Sequence, residues 1–151
     1  QIISIHHSKG LEYPIVFLAD TAHKINLQDR NSDVLIHPSL GIGGRVIDSS
    51  RGISYPTIAL RAISAKLTQE SLSEEMRVLY VALTRAKENL VMVTSVPNPE
   101  KGLAKVAVEC GIGERANPFA VLRMNNFSDL VLTALMRHPA ADELRKLSGV
   151  D

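Results

Sequence analysis

The segment 79–87 constrains the fold more than any other part of the sequence, because it predicts an apolar helix that carries Arg85 close to its end. Apolar side chains occupy nearly every side of this helix, so we expect it to be packed on both sides. A guanidinium beside a packed helix needs a partner when it loses water. An anionic ligand would be such a partner, and so would the carboxylate of Glu75 or Glu88. The residues alone leave both alternatives open.

Composition excludes several classes of protein. The 151 residues suffice for one domain with its own core, and 45% hydrophobic and 22% charged residues are usual for a globular protein. A net charge of +1 excludes a broad basic surface, so any contact with DNA must be local. The single Cys110 excludes an internal disulfide. His6 and His7 are a poor pair of metal ligands, and we expect no metal site.

The sequence has no signal for a membrane or for export. No apolar run approaches the roughly 18 residues of a membrane span, and no charged and then apolar leader stands at the N-terminus. We therefore expect a cytoplasmic protein without membrane contact. Because the chain begins at Gln1 without a starting Met, we also expect it to be a fragment of a longer protein.

The spacing of apolar residues predicts an α/β fold. Residues 2–6, 15–19 and 90–94 are short apolar runs, which are typical of parallel strands buried on both faces. Residues 33–48 predict an inserted β-hairpin around a turn rich in glycine at 40–44. These glycines lack the Gly-Lys-Ser/Thr that a phosphate-binding loop requires.

Capping signals predict the helices. Ser71 and Glu74 form a capping box, and we expect the helix that follows to span residues 73–87. The last third of the chain is predicted to be helical and to end at Gly149. We expect its helices at about 102–110, 118–124, 128–138 and 140–148.

A small polar loop follows the first predicted strand, where open α/β sheets place their ligand contacts. Ser8, Lys9 and Gly10 form a basic turn in which lysine can meet a phosphate and glycine allows close approach of the backbone. Glu12 can accept hydrogen bonds from ribose hydroxyls, and His6 can contact DNA. The alternatives are a solvated turn, an exposed carboxylate and a structural histidine.

Two long motifs resemble those of superfamily 1 helicases of the UvrD/Rep kind. Ser-Ile-His-x-Ser-Lys-Gly-Leu-Glu-Tyr-Pro at 4–14 resembles motif V, and Glu-Glu-Met-Arg-Val-Leu-Tyr-Val-Ala-Leu-Thr-Arg-Ala-Lys at 74–87 resembles motif VI. The resemblance implies that residues 1–95 are part of the second RecA-like domain of a DNA motor. It also implies a helical C-terminal extension at 96–151.

The resemblance assigns roles to individual residues. It implies that Arg85 is the catalytic arginine that reaches the γ-phosphate of ATP held by the first RecA-like domain of the same parent chain. Gly10 and Glu12 would lie at the nucleotide, and His6, Ser8 and Lys9 would lie along single-stranded DNA. ATP and Mg²⁺ are the implied ligands of the parent, and we expect neither to bind to this fragment alone.

A narrower resemblance covers most of the chain and points to the AddA (RexA) subunits of bacterial AddAB (RexAB) helicase-nucleases. It rests on Leu-Ile-His-Pro-Ser-Leu-Gly-Ile-Gly at 35–43, on the run 55–57 before a helix, and on the segment 126–139. It implies DNA ends as substrate, a partner subunit of the AddB/RexB type and a role in double-strand-break repair. A UvrD-type translocase without nuclease and a helicase-like interaction module without catalysis are the alternatives.

Two motifs of such a parent are absent from this sequence. No Gly-x-x-x-x-Gly-Lys-Ser/Thr occurs, so we expect the phosphate-binding loop to lie in another part of the parent. No acidic residue is followed two positions later by lysine, and we expect the same of any nuclease site. The fragment alone is therefore predicted to be inactive.

Overall fold

The computed structural model describes residues 1–26, 32–110 and 116–149, and within them it has a mixed α/β fold. A turn of 3₁₀ helix at His6–Ser8 precedes the first strand. The strands are β1 (Tyr13–Leu18), β2 (Val34–His37), β3 (Gly41–Asp48), β4 (Ile53–Pro56) and β5 (Ala86–Met92). The helices are α1 (Ile58–Leu83), α2 (Pro99–Cys110), α3 (Pro118–Val121), α4 (Phe127–Leu135) and α5 (Asp142–Ser148). The chain divides into unit 1, which comprises Gln1–Ile25 and Met76–Asp151, and unit 2, which comprises Asn26–Glu75.

Unit 1 contains the parallel strand pair that the sequence predicts. β1 and β5 pair in parallel, and Tyr13 lies opposite Ala86 at the start of the register. Leu18 packs with Leu79 and Ala82 to form the core beneath the sheet. The strand β5 begins four residues before the predicted 90–94, because its pairing with β1 starts directly after the helix.

The prediction of a strand at residues 2–6 is wrong. His6–Ser8 is a 3₁₀ turn, and Ile2 is fully exposed. The physical reason is local hydrogen bonding. The Ser8 N–H donates to the carbonyls of Ser4 and Ile5, and the Ser8 hydroxyl donates to the Ile5 carbonyl at 2.7 Å. Serine side chains that bond nearby backbone in this way compete with extended structure.

The prediction that strands and helix are covered on both sides is also wrong for the described residues. Ile15 and Phe17 of β1 are 53% and 70% exposed, and Tyr80 near the end of α1 is 69% exposed. Each of these elements buries one face only, because β1 pairs with β5 alone and the core takes Leu18 and Leu79 from a single side.

Unit 2 has a three-stranded antiparallel sheet in the order β2, β3, β4, which corrects the predicted two-stranded hairpin. Leu35, Leu60 and Ile63 form its core. The glycine-rich run lies inside β3 rather than in a turn. Gly43 explains the composition, because a Cβ there would lie 2.5 Å from the Leu60 backbone nitrogen. Glycine is needed here for close approach of strand and helix.

Helix α1 is longer than the sequence predicts. It begins at Ile58, so the predicted capping box at Ser71 and Glu74 lies inside it. Thr57 provides the cap instead, since its hydroxyl accepts from the Leu60 N–H at 3.1 Å and donates to the Gly44 carbonyl at 2.7 Å. A serine followed three residues later by glutamate therefore did not mark a helix start here.

The C-terminal helices confirm the predicted helical third, with shifted bounds. Val106 and Met136 form their core in unit 1. The Asn126 side chain accepts from the Asp129 N–H at the start of α4. Gly149 has a φ of 67° at the end of α5, as a helix-terminating glycine should. No helix in the part of the chain that the structure describes is both long and apolar enough to cross a membrane.

Candidate functional site

The loop that precedes β1 is built by short-range hydrogen bonds. The buried Ser8 closes its 3₁₀ turn, and the Leu11 N–H donates to the Ser8 carbonyl at 3.0 Å. Gly10 adopts a φ of +82°, which L side chains rarely reach, and open space surrounds its Cα. The loop therefore exposes backbone at Gly10, where a ligand can approach closely.

The strand register places Arg85 beside this loop. Arg85 lies in the turn directly after α1 and not on the helix as predicted, because the Thr84 hydroxyl bonds back to the carbonyls of Tyr80 and Val81 as the helix ends. The Tyr13 N–H donates to the Arg85 carbonyl at 2.9 Å, and this bond opens the parallel pairing. The two motifs are thus joined by the sheet itself.

The Arg85 guanidinium is held by oxygen atoms of both motifs. Nε donates to the Val81 carbonyl at 2.8 Å, and Nη1 donates to the Leu11 carbonyl at 2.9 Å and the Ser8 carbonyl at 3.5 Å. Nη2 donates to the Thr84 hydroxyl at 3.0 Å. Among the described residues no carboxylate pairs with this guanidinium, so the predicted alternative of a salt bridge to a nearby glutamate is wrong. Its positive charge is oriented but not neutralised.

Glu12 is paired, in contrast, with a residue of the second motif. Its Oε2 lies 3.1 Å from Lys87 Nζ, and both side chains are more than half exposed. Parallel pairing places the two residues side by side, one just before β1 and the other just inside β5. An exposed ion pair is worth little on its own and can open when a ligand offers better partners.

The three residues predicted to contact DNA differ in their surroundings. His6 and Lys9 are exposed, so their side chains are accessible to a ligand. Ser8 is 5% exposed and its hydroxyl is bonded to Ile5, so its contribution to a surface is limited to its backbone. Within the described ranges, no group of three or more His, Cys, Asp or Glu could hold a metal ion.

Two partners of Arg85 lie outside the residues singled out from the sequence. The Leu11 carbonyl is a backbone group, and no side-chain pattern reveals it. Thr84 precedes Arg85 in the chain, but its contact with the guanidinium depends on where α1 ends. Arg85 also lines a groove of about 710 Å³ in unit 1 together with Tyr13, Ile15 and Phe17. The arginine is therefore reachable from solvent.

Comparison with known proteins places this site in a family. Residues 1–96 match the UvrD-like helicase C-terminal domain, and the chain belongs to that family. Relatives named as the A subunits of ATP-dependent helicase/nucleases align over nearly all of it. The protein from Clostridium kluyveri is 42% identical over 97% of this chain, and that from Acetivibrio thermocellus is 43% identical over 99%. The protein from Thermoanaerobacter sp. (strain X514) is 42% identical over 99%. The resemblance to UvrD-type helicases and to AddA-type subunits is thus confirmed.

The chain spans only 12% of the length of these relatives. It corresponds to one segment of them, and that segment contains both motifs of the site.

Proposed function

We propose that this chain is the part of an AddA-type subunit of an ATP-dependent DNA helicase/nuclease that delivers an arginine to ATP. In this proposal, residues 1–95 belong to the second RecA-like motor domain and residues 96–151 form a helical extension toward the nuclease. The α/β pairing of β1 with β5 and the family match support it. The single observation that carries it is the guanidinium of Arg85, oriented by the loop before β1 and without a carboxylate partner among the described residues.

The chemistry of phosphoryl transfer explains why such an arginine is needed. Negative charge on the γ-phosphoryl oxygens is stabilised by cations placed beforehand at the site, and an arginine from a facing domain supplies about 10³-fold or more in rate. The phosphate-binding loop and Mg²⁺ would be held by the first RecA-like domain, since this sequence contains no such loop. Closure of the two domains would then bring Arg85 to the phosphate.

The loop before β1 would serve both ligands of the motor. Gly10 and Glu12 would face the nucleotide, with Glu12 leaving Lys87 to accept from the ribose hydroxyls. His6 and Lys9 would lie along single-stranded DNA, where their exposure makes contact possible. Because Arg85 is bonded to this loop, a shift of the loop on DNA would be transmitted to the arginine.

The parent would act on DNA ends together with a second subunit of the AddB/RexB type, in double-strand-break repair and recombination. The printed name of the relatives, which makes each of them one lettered subunit of a helicase/nuclease, supports both the nuclease and the existence of a partner. It favours this function over a translocase without nuclease and over a scaffold without catalysis.

The test is ATP turnover by the complete subunit carrying this segment, measured with Arg85→Ala and Arg85→Lys. We expect Arg85→Ala to lower DNA-stimulated kcat by about 10²-fold or more with little change in KM, because the arginine acts on charge that develops in the transition state. Arg85→Lys should restore little, since an ammonium lacks the planar fork of donors.

Arg123→Ala is the matched control, because it removes an exposed arginine of unit 1 outside both motifs. It should retain wild-type turnover. An unchanged kcat in Arg85→Ala, with ATP hydrolysis intact, would remove Arg85 from the site and with it the proposed function of the segment.

A further inference from the structure

We propose that Thr84 is a positioning residue that sets the rotation of the Arg85 guanidinium for catalysis. The inference rests on the proposed function and concerns the same site. Thr84 Oγ1 lies 3.0 Å from Arg85 Nη2, and this hydroxyl is the only side-chain acceptor in the set that holds the arginine among the described residues. The other acceptors are backbone carbonyls.

The direction of the hydrogen bonds is fixed. The Thr84 hydroxyl has one proton, and the carbonyls of Tyr80 at 2.9 Å and Val81 at 3.1 Å compete for it. Its lone pairs therefore remain for Nη2, which can only donate. A hydroxyl bonded in this way is an oriented acceptor rather than a rotating one, and it holds the plane of the guanidinium relative to the end of α1.

A count of donors shows which edge of Arg85 remains available. The guanidinium has five N–H groups. Nε uses its one on Val81, and Nη1 uses both on the loop carbonyls of Ser8 and Leu11. Nη2 uses one on Thr84, so within the described part of the chain its second N–H has no acceptor. The geometry therefore points to Nη2 as the edge that meets the phosphate, and Thr84 bonds that same nitrogen.

Removal of the hydroxyl should let this edge rotate without removing the positive charge. The expected result is a lower kcat with an almost unchanged KM for ATP, because a misplaced donor loses most of its effect in the transition state. We expect Thr84→Val, which keeps the branched shape, to lower kcat about three- to tenfold in the complete subunit. Thr84→Ser, which keeps the hydroxyl, should restore kcat to within about twofold.

The control is Thr68→Val on the same helix. The Thr68 hydroxyl donates to the Ser64 carbonyl at 2.8 Å, which is the same backbone contact that Thr84 makes four residues back, but it is not bonded to Arg85. Thr68→Val therefore removes an equal helix contact and should leave kcat unchanged. A Thr84→Ala variant replaces Thr84→Val if the valine lowers the melting temperature of the subunit.

A double-mutant cycle separates positioning from a general structural role. If Thr84 acts through Arg85, Thr84→Val should change nothing further in the Arg85→Ala background. The inference is overturned if Thr84→Val keeps wild-type kcat, if serine fails to restore it, or if the two effects multiply. These outcomes differ from failure of the proposed function, which would appear as an unchanged kcat in Arg85→Ala.

Discussion

Gly43 shows how closely one residue can constrain unit 2. A Cβ at this position would lie 2.5 to 2.7 Å from backbone atoms of Ala59 and Leu60, and backbone cannot move aside as a side chain can. We expect Gly43→Ala to destabilise the chain by roughly 1–3 kcal/mol or more, as overpacking does. The measurement is the denaturation midpoint of the 151-residue chain.

Gly44→Ala is the matched control for this prediction. Its added Cβ would meet only ordinary contacts at 3.8 and 3.9 Å, so it should leave the midpoint nearly unchanged. Equal effects of the two substitutions would show that strand and helix are farther apart at Gly43 than the structure places them.

The residues of the candidate site were predictable to different degrees. Arg85 was found because a cation among apolar neighbours is unusual in sequence, and its lack of a carboxylate partner among the described residues favours a ligand over a salt bridge. The pairing of Glu12 with Lys87 was not predicted, because it depends on the register of β1 with β5. Ser8 was predicted to contact DNA, but a local hydrogen bond uses its hydroxyl, and sequence patterns do not distinguish the two uses.

At the scale of elements, β2 and α1 are tied by a histidine that the sequence did not single out. His37 is 6% exposed, and its Nδ1 accepts from the Ser39 N–H at 3.2 Å. Nε2 therefore carries the proton that is donated to the Glu70 carboxylate at 3.2 Å. Lys66 Nζ lies 3.5 Å from the same carboxylate.

These contacts predict a dependence of stability on pH. The hydrogen bond from His37, followed by its charge and that of Lys66, holds the pKa of Glu70 below its ordinary value despite some desolvation. A carboxyl whose pKa is lowered in the folded state stabilises it fully above the unfolded pKa and loses that effect as pH falls through the folded pKa. Glu70→Gln should therefore reduce the loss of melting temperature between about pH 6 and about pH 3.

Glu75→Gln, also on α1, controls for the loss of one carboxylate. We expect that variant to keep the acid-induced loss of the wild type. If both variants follow the wild-type melting curve across this range, the His37 to Glu70 contact contributes nothing to the stability of unit 2.

Elements were predictable where the signal was local and continuous. β1 and the parallel pairing followed from an apolar run, and α4 followed from its cap at Asn126. The start of α1 was missed because polar residues before Met76 hide the helix, while Thr57 caps it through a contact with β3. β3 was mistaken for a turn because glycine signals both turns and close packing.

On the scale of the whole molecule, the sequence defined an α/β chain but not its division into two units. Unit 2 is continuous in sequence, whereas unit 1 is assembled from residues 1–25 and 76–151. Such a division depends on contacts between distant segments, for example the Ser128 N–H that donates to the Thr21 carbonyl at 2.8 Å. The two motifs belong mainly to unit 1, and the sheet joins them across the intervening fifty residues of unit 2.

The last prediction concerns what this chain can do alone. A transition state for phosphoryl transfer needs a cradle for the β- and γ-phosphates and a metal ion as well as an arginine. The sequence has no phosphate-binding loop, and one guanidinium cannot replace it. The purified 151-residue chain should therefore hydrolyse no ATP above background, with or without single-stranded DNA, and should unwind no duplex. The same chain with Arg85→Ala identifies any contaminating ATPase, because such activity persists in both preparations. Hydrolysis that the wild-type chain shows and Arg85→Ala abolishes would mean that the site is complete within these residues, and the assignment of the arginine to a facing domain would then be wrong.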